Sequence, residues 1–352
     1  MVRAQLVWSR RRGGVMRAVT VLGGLVLGGL GTLGLGLGVS GCQPLPAPAW
    51  PRGELAPAEL APTAPPASSP RGAPHLVGRL EDRRIDFQYE GGQLEFELYR
   101  DGGQIEQVVR NRYAVPVVLH WTLGALDNLE PMSPVEGVIV LPAAPAPLGN
   151  GQRIVLAALQ QIDPTYSYRR ELHFHARLGD PAARPADYVY GLPYPHGLTF
   201  AVLQGFHGAF SHHGSNEYAV DFACPIATPV LAARPGMVVA TNAIAQGSGT
   251  TPDFLEDRRA NFVVIRHSDG TLGEYLHLSP SGVEVHPGQI VERGQEIALS
   301  GNTGFSSTPH LHFQVITASE DGIAKHPFPF KLAVRPGKIA APVQGQRYAA
   351  WE

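Results

Sequence analysis

Apolar and polar positions alternate with period two across residues 75–186. Ile85, Phe87 and Tyr89 alternate with polar neighbours, Gly91-Gly92 makes a turn, and Leu94, Phe96 and Leu98 alternate again. Further apolar runs at 115–123, 135–141, 154–159 and 172–178 are broken by Gly, Pro and Asn. Short strands with such punctuation predict a β-sandwich-like domain. The second half, 187–320, is also rich in short apolar runs, at 230–233, 237–241, 262–267, 271–278, 289–291, 296–300 and 310–316. No helical period stands out. The chain is therefore expected to be all-β, with an N-terminal β-sandwich-like domain and a C-terminal β-sheet domain. Residues 241–260 read as an inserted loop that lines or covers a cleft. The Pro- and Gly-rich tail, 321–352, is expected to wrap the surface from residue 325 onward.

The first 41 residues have a different pattern. Arg3, Arg10, Arg11, Arg12 and Arg17 precede an uncharged apolar run at 18–41, the order of a secretory signal. Nine Gly in that run argue against a stable spanning helix, since each costs about 1 kcal/mol relative to Ala. The run ends in Val39-Ser40-Gly41-Cys42, which resembles the bacterial lipobox. That resemblance implies cleavage before Cys42 and lipidation of its sulfur, hence a membrane anchor. It also implies an extracytoplasmic location. Gln43 rather than Asp follows the Cys, which implies the outer membrane, facing the periplasm, if the bacterium has two membranes. Residues 43–74 hold ten Pro in 32 positions and cannot build a core, so 42–74 reads as a tether.

Charge and cysteine content narrow the partners. The 352 residues carry 28 Lys+Arg against 30 Asp+Glu, a net charge of −2. That leaves no basic excess to neutralise phosphates, so nucleic acid is not an expected partner. Of the two Cys, Cys42 is assigned to lipid and Cys224 to a buried apolar setting, so no internal disulfide is expected.

The chemistry concentrates in the histidines. Nine of the 14 lie between His196 and His312. Ser211-His212-His213-Gly214 precedes Tyr218-Ala219-Val220-Asp221-Phe222. Glu274-Tyr275-Leu276-His277-Leu278 follows, then Ser300-Gly301-Asn302-Thr303-Gly304 leads to Pro309-His310-Leu311-His312-Phe313. Over about 188–320 these segments resemble the lysostaphin/LytM-type zinc metallopeptidases, which cut peptide bridges of peptidoglycan. Carried over residue by residue, the resemblance implies one zinc ion on His212, Asp221 and His312, flanked by His277 and His310. Two imidazoles and a carboxylate suit a hydrolytic zinc with one open position, and a His can move the proton of the attacking water. His213 competes with His212 as the first ligand, because the nine-residue step to Asp221 is longer than the family's usual spacing. Phe206 stands where some members carry a Tyr.

His173-Phe174-His175 puts two imidazoles on one strand face without a third ligand and reads as two solvent-facing residues on an edge strand. Paired hairpin motifs at 232–239 and 286–295 resemble biotinyl or lipoyl carriers, but no Lys lies there to bear the group. The expected function is thus a zinc-dependent metalloendopeptidase acting on peptidoglycan cross-links. The alternative is a non-catalytic lipoprotein of the same type that binds or activates other cell-wall hydrolases. Other cell-wall proteins are possible partners of the β-sandwich.

Overall fold

A computed structural model of the chain describes residues 78–351 apart from residue 336. The signal segment, Cys42 and the tether lie outside the described residues. Among the described residues, the helical pieces are three 3₁₀ turns, Gly214–Asn216, Pro252–Leu255 and Asp257–Arg259, and everything else regular is strand. No helix there is long and apolar enough to cross a membrane.

The N-terminal region is made of two antiparallel sheets. One has five strands in the order Arg79–Tyr89, Gly92–Asp101, Gln104–Asn111, Arg153–Gln161 and Leu129–Pro131. The other has three, Glu136–Leu141, Val117–Asp127 and Arg169–Leu178. Strand alternation sends Leu94, Phe96 and Leu98 from the first sheet, and Leu119, Trp121 and Leu123 from the second, into one core. Each such fully buried side chain contributes about 1.5–3 kcal/mol by leaving water.

That core does not stop at the sequence boundary near residue 186. Val239, Ala240, Phe262, Val264, Leu272 and Ile316 of the second region belong to the same apolar cluster. The Tyr89 ring sits edge-on to Phe262 at 5.1 Å. The Thr241 backbone N–H donates to the Glu90 carbonyl at 3.0 Å, and its hydroxyl donates to Glu90 Oε2 at 2.8 Å.

The second region is organised by a nine-stranded sheet. Its order runs Ile290–Val291, Gly236–Asn242, Phe262–Arg266, Leu272–Leu276, Leu311–Ala318, Val220–Phe222, Thr199–Gln204 and Arg347–Ala349, with Lys325–Phe328 paired beside Leu311–Ala318. All eight residues of Leu311–Ala318 are buried. Val263, Ile265, Tyr275 and Phe313 point to a second core, while Phe262, Val264, Leu272 and Ile316 point to the one shared with the N-terminal sheets. A strand covered on both faces is what allows polar side chains at its end to be deeply buried.

The tail departs from the expectation that it wraps the surface. Arg347–Ala349 extends the main sheet beside Thr199–Gln204, and Lys331–Arg335 pairs in parallel with Val189–Tyr190. Phe328, Phe330, Leu332 and Val334 are buried in the second core. They recur at every second position, a strand signal that the surrounding Pro and Gly conceal. In the 241–260 loop, Ser248–Gly249 pairs with Gly304–Phe305, and the 3₁₀ turns bring Phe254, Leu255 and Asp257 to the wall of a cleft.

Candidate metal centre

Strand register gathers the polar residues. Val220–Phe222 runs between Thr199–Gln204 and Leu311–Ala318, which places Asp221 opposite both Gln204 and His312. On the far side of Leu311–Ala318, Leu276 is paired with His312. The next residue, His277, turns away with φ of 64°, a left-handed conformation that non-glycine residues adopt only where the surroundings impose it. His212 arrives from the loop before Asp221, its backbone N–H bonded to the Gly208 carbonyl at 3.0 Å.

His212, Asp221 and His312 each offer a ligand atom, and these atoms lie within 4.8 Å of one another. His312 Nδ1 is 2.9 Å from Asp221 Oδ1, and His212 Nε2 is 3.1 Å from Asp221 Oδ2. His310 Nε2 is 3.6 Å from Asp221 Oδ1. The His277 and His310 rings are 4.5 Å apart between centroids. Four imidazoles thus surround one carboxylate. His213 is exposed, so of the two adjacent histidines it is His212 that meets Asp221.

Backbone carbonyls set the imidazole tautomers. His212 Nδ1 is 2.8 Å from the Gly205 carbonyl, His277 Nδ1 is 2.7 Å from that of Thr303, and His310 Nδ1 is 2.8 Å from that of Thr308. A carbonyl only accepts, so each Nδ1 carries hydrogen and the neutral ring keeps a lone pair on Nε2. In His212 that lone pair faces a carboxylate oxygen at 3.1 Å, and no hydrogen bond joins them. Two electron-rich atoms at that distance need a proton or a cation between them. The charge states agree. Burial lowers the His212 pKa, but the Asp221 carboxylate outweighs it and the net shift is upward. Burial likewise resists ionisation of Asp221, yet the adjoining imidazoles of His212 and His312 hold its pKa well below the usual carboxylate range. Burial lowers His312, with Asp221 offsetting only part. His277 is pushed down to about 3 by burial, with His310 and His312 adding to the effect, so its ring is neutral.

The residues present fit a metal. His212 Nε2 and His312 Nε2 are buried without a hydrogen-bond partner. The His212 Nε2–Asp221 Oδ2 separation of 3.1 Å lies near the roughly 3.3 Å edge of a tetrahedron with arms of about 2.0–2.1 Å. Nitrogen and oxygen donors without thiolate suit a borderline divalent cation. The centre opens into a cleft of about 420 Å³, lined also by Phe210, Phe305, Phe254 and Leu255. The Phe210 and Phe305 rings stack at 6.2 Å, and Phe210 is 61% exposed.

Other histidine features fall elsewhere. His173 and His175 lie on Arg169–Leu178, an edge strand of the three-stranded sheet, with His175 opposite His120 and their rings 6.3 Å apart. Among the described residues, only His212, Asp221 and His312 meet as a metal-binding group. Phe206 packs edge-on against Tyr218 at 5.5 Å and Phe330 at 5.1 Å. Gln204, which no sequence motif singles out, places its amide nitrogen 2.9 Å from Asp221 Oδ2.

Comparison with known proteins matches the same segment. Residues 215–324 match peptidase family M23. Lysostaphin of Staphylococcus simulans is 32% identical over 167 residues, which is 47% of this chain and 28% of that protein. The peptidoglycan DD-endopeptidase ShyA of Vibrio cholerae is 43% identical over 96 residues, covering 27% of this chain and 19% of ShyA. The crystallised catalytic domain of lysostaphin, described as an antimicrobial peptidase, aligns with 33% identity and a TM-score of 0.25 over 40% of this chain and 85% of that domain. The chain spans less than a third of the length of either full-length relative. Residues 215–324, with Asp221, His277, His310 and His312 among them, therefore form a peptidase domain of family M23, of the lysostaphin/LytM type.

Proposed function

We propose that the chain is a zinc-dependent metalloendopeptidase that hydrolyses peptide cross-links of bacterial peptidoglycan. We further propose that a lipid on Cys42 holds it outside the cytoplasm, at the outer membrane in a two-membrane bacterium. The observation that carries the enzymatic reading is the meeting of His212, Asp221 and His312, with Asp221 and His312 lining the cleft and lying inside a segment that matches family M23. The name of ShyA, a peptidoglycan DD-endopeptidase, supports the substrate class.

His212, Asp221 and His312 would hold the zinc, which when bound supplies a Lewis acid for the scissile carbonyl and acidifies a water to a pKa of about 7. The remaining work falls to the protein's own groups. His277 and His310 both line the cleft with Nδ1–H committed to a backbone carbonyl. Each therefore offers Nε2 to the reacting groups, to take a proton from the attacking water and return it to the leaving amine. The carbonyls of Thr303 and Thr308 hold the two rings in that orientation, so proton transfer needs no rotation of either ring.

The test is incubation of the full chain with purified peptidoglycan and zinc, read by mass spectrometry of the released muropeptides, with His312→Ala in parallel. The wild type is expected to yield uncross-linked muropeptides and the variant none. Intact cross-links after treatment with folded, zinc-loaded wild type would overturn the enzymatic reading. The anchor is tested separately, by metabolic labelling with a radiolabelled fatty acid. Incorporation is expected in the wild type and absent in Cys42→Ser, and equal label in both would sink the lipid assignment.

A further inference from the structure

The pairing of Thr199–Gln204 with Val220–Phe222 contains a break in register. Val202 is opposite Phe222, but Gln204 is opposite Asp221, so one extra residue, Leu203, is accommodated on the first strand. A regular strand would put Gln204 on the same face as Val202, in the apolar core, because side chains two apart share a face. The bulge turns Gln204 to the other face, beside the Asp221 carboxylate. Bulges commonly re-aim a side chain in this way next to active sites.

Once there, Gln204 uses its full hydrogen-bonding capacity. Its Oε1 accepts the backbone N–H groups of Phe210 at 3.2 Å and Ser211 at 3.1 Å. Its Nε2 donates to Asp221 Oδ2 at 2.9 Å and to Ser211 Oγ at 3.0 Å. Backbone N–H groups can only donate, so the amide cannot be reversed without losing these bonds. One side chain therefore grips both the carboxylate of Asp221 and the loop that delivers His212, the residue after Ser211.

We infer that Gln204 is the positioning residue of the metal centre, holding Asp221 and His212 at the separation the cation requires. The inference rests on the zinc reading above. Gln204 is not itself a ligand in this role. One Nε2 hydrogen occupies one side of Oδ2 and restricts the direction in which the carboxylate can turn. The bonds to Phe210 and Ser211 limit how far the His212 loop can drift. Supporting hydrogen bonds of this kind typically raise metal affinity by about 10–100-fold.

The experiment measures zinc affinity of the full chain by competition with a fluorescent zinc chelator, for wild type, Gln204→Glu, Gln204→Leu and His312→Ala. Glu keeps acceptors for the Phe210 and Ser211 N–H groups but sets a carboxylate against Asp221. Leu is of similar size and removes both halves of the grip. Both Gln204 variants are expected to raise the zinc Kd by about 10–100-fold. Their near-UV circular dichroism without metal is expected to match the wild type. Zinc binding by Gln204→Glu within about threefold of wild type overturns the inference, as does loss of the native near-UV spectrum in both variants, which would assign Gln204 to the fold. Failure of the zinc reading looks different: the wild type takes up no zinc, or His312→Ala binds as well as the wild type.

Discussion

Two buried polar clusters in this protein are built on opposite plans. In the N-terminal five-stranded sheet, the fully buried Glu95 side chain accepts from Arg83, from Arg112 Nη1 at 2.8 Å and from Gln93 Nε2 at 2.9 Å. Its neighbour Glu97 takes Arg153 Nε at 2.7 Å and the Tyr99 hydroxyl at 3.2 Å. Burial pushes the Glu95 pKa up, but the bonds from Arg112, Arg83 and Gln93 outweigh it and the net shift is downward. The groups left without hydrogen bonds there include Glu95 Oε2 and Arg110 Nε, which face each other 3.9 Å apart with opposite charge. Around Asp221 the excess is of one kind. Four imidazoles surround one carboxylate, and the unpartnered atoms His212 Nε2 and His312 Nε2 are ring nitrogens, which act as electron donors when they carry no proton. The first cluster is closed on itself, whereas the second has the donor set that a cation would complete.

That contrast is broken most directly by removing the carboxylate from each cluster. Asp221→Ala is expected to abolish zinc uptake, and with it the stability that zinc adds. That increment is about 4 kcal/mol when free zinc exceeds its Kd a thousandfold. Thermal unfolding with and without zinc measures it, and a zinc-dependent rise in the variant equal to that of the wild type would refute the contrast. Glu95→Ala should leave zinc affinity unchanged and destabilise the fold in urea by about 3 kcal/mol. This is the low end for one partner of a buried ion pair, because Arg83 remains 45% exposed and can hydrate. A loss below about 1 kcal/mol would mean that the guanidiniums around Glu95 are satisfied by water.

Much of this was legible in the residues, for identifiable reasons. Period-two alternation marks Leu94, Phe96 and Leu98 as a strand face, and the structure buries all three. The His-x-His and Asp-Phe segments carry family-specific spacing, so Asp221, His277, His310 and His312, with one of the pair His212 and His213, are readable from the residues. What escaped was information held in register and backbone. Adjacent His212 and His213 are alike in composition, and only closure of the loop onto the Gly205 carbonyl separates them. Gln204 reaches Asp221 through a bulge, which no periodicity reveals. The carbonyls that orient His277 and His310 belong to Thr303 and Thr308, where side-chain identity says nothing about the acceptor. The strand signal of Phe328 to Val334 was hidden by Pro327 and Pro329 at its start.

The comparison is sharpened by a third kind of buried imidazole. His267 Nδ1 lies 2.8 Å from the Pro235 carbonyl, and its Nε2 is buried without a partner, as in His212. Yet Nε2 is packed against Gly273, where an added Cβ would come within 2.8 Å of it. A lone pair alone therefore does not make a metal centre, and convergence with a carboxylate is also required. Burial drives the His267 pKa down from 6.5 to about 4. The sign follows from linkage: the unfolded chain binds this proton more readily than the folded one. The neutral ring's stabilising contribution is therefore complete above about pH 6.5 and is lost as the pH falls towards 4. Between pH 8 and pH 5.5 the loss is about 1.4 kcal/mol. Chemical denaturation with a chelator present, comparing wild type with His267→Gln, isolates it because other titrating groups cancel. The wild type should lose about 1.4 kcal/mol more than the variant over that interval. Parallel stability curves would show that His267 finds a proton acceptor in the folded state, and that buried, unpartnered Nε2 atoms are not a reliable mark of open donor capacity in this protein.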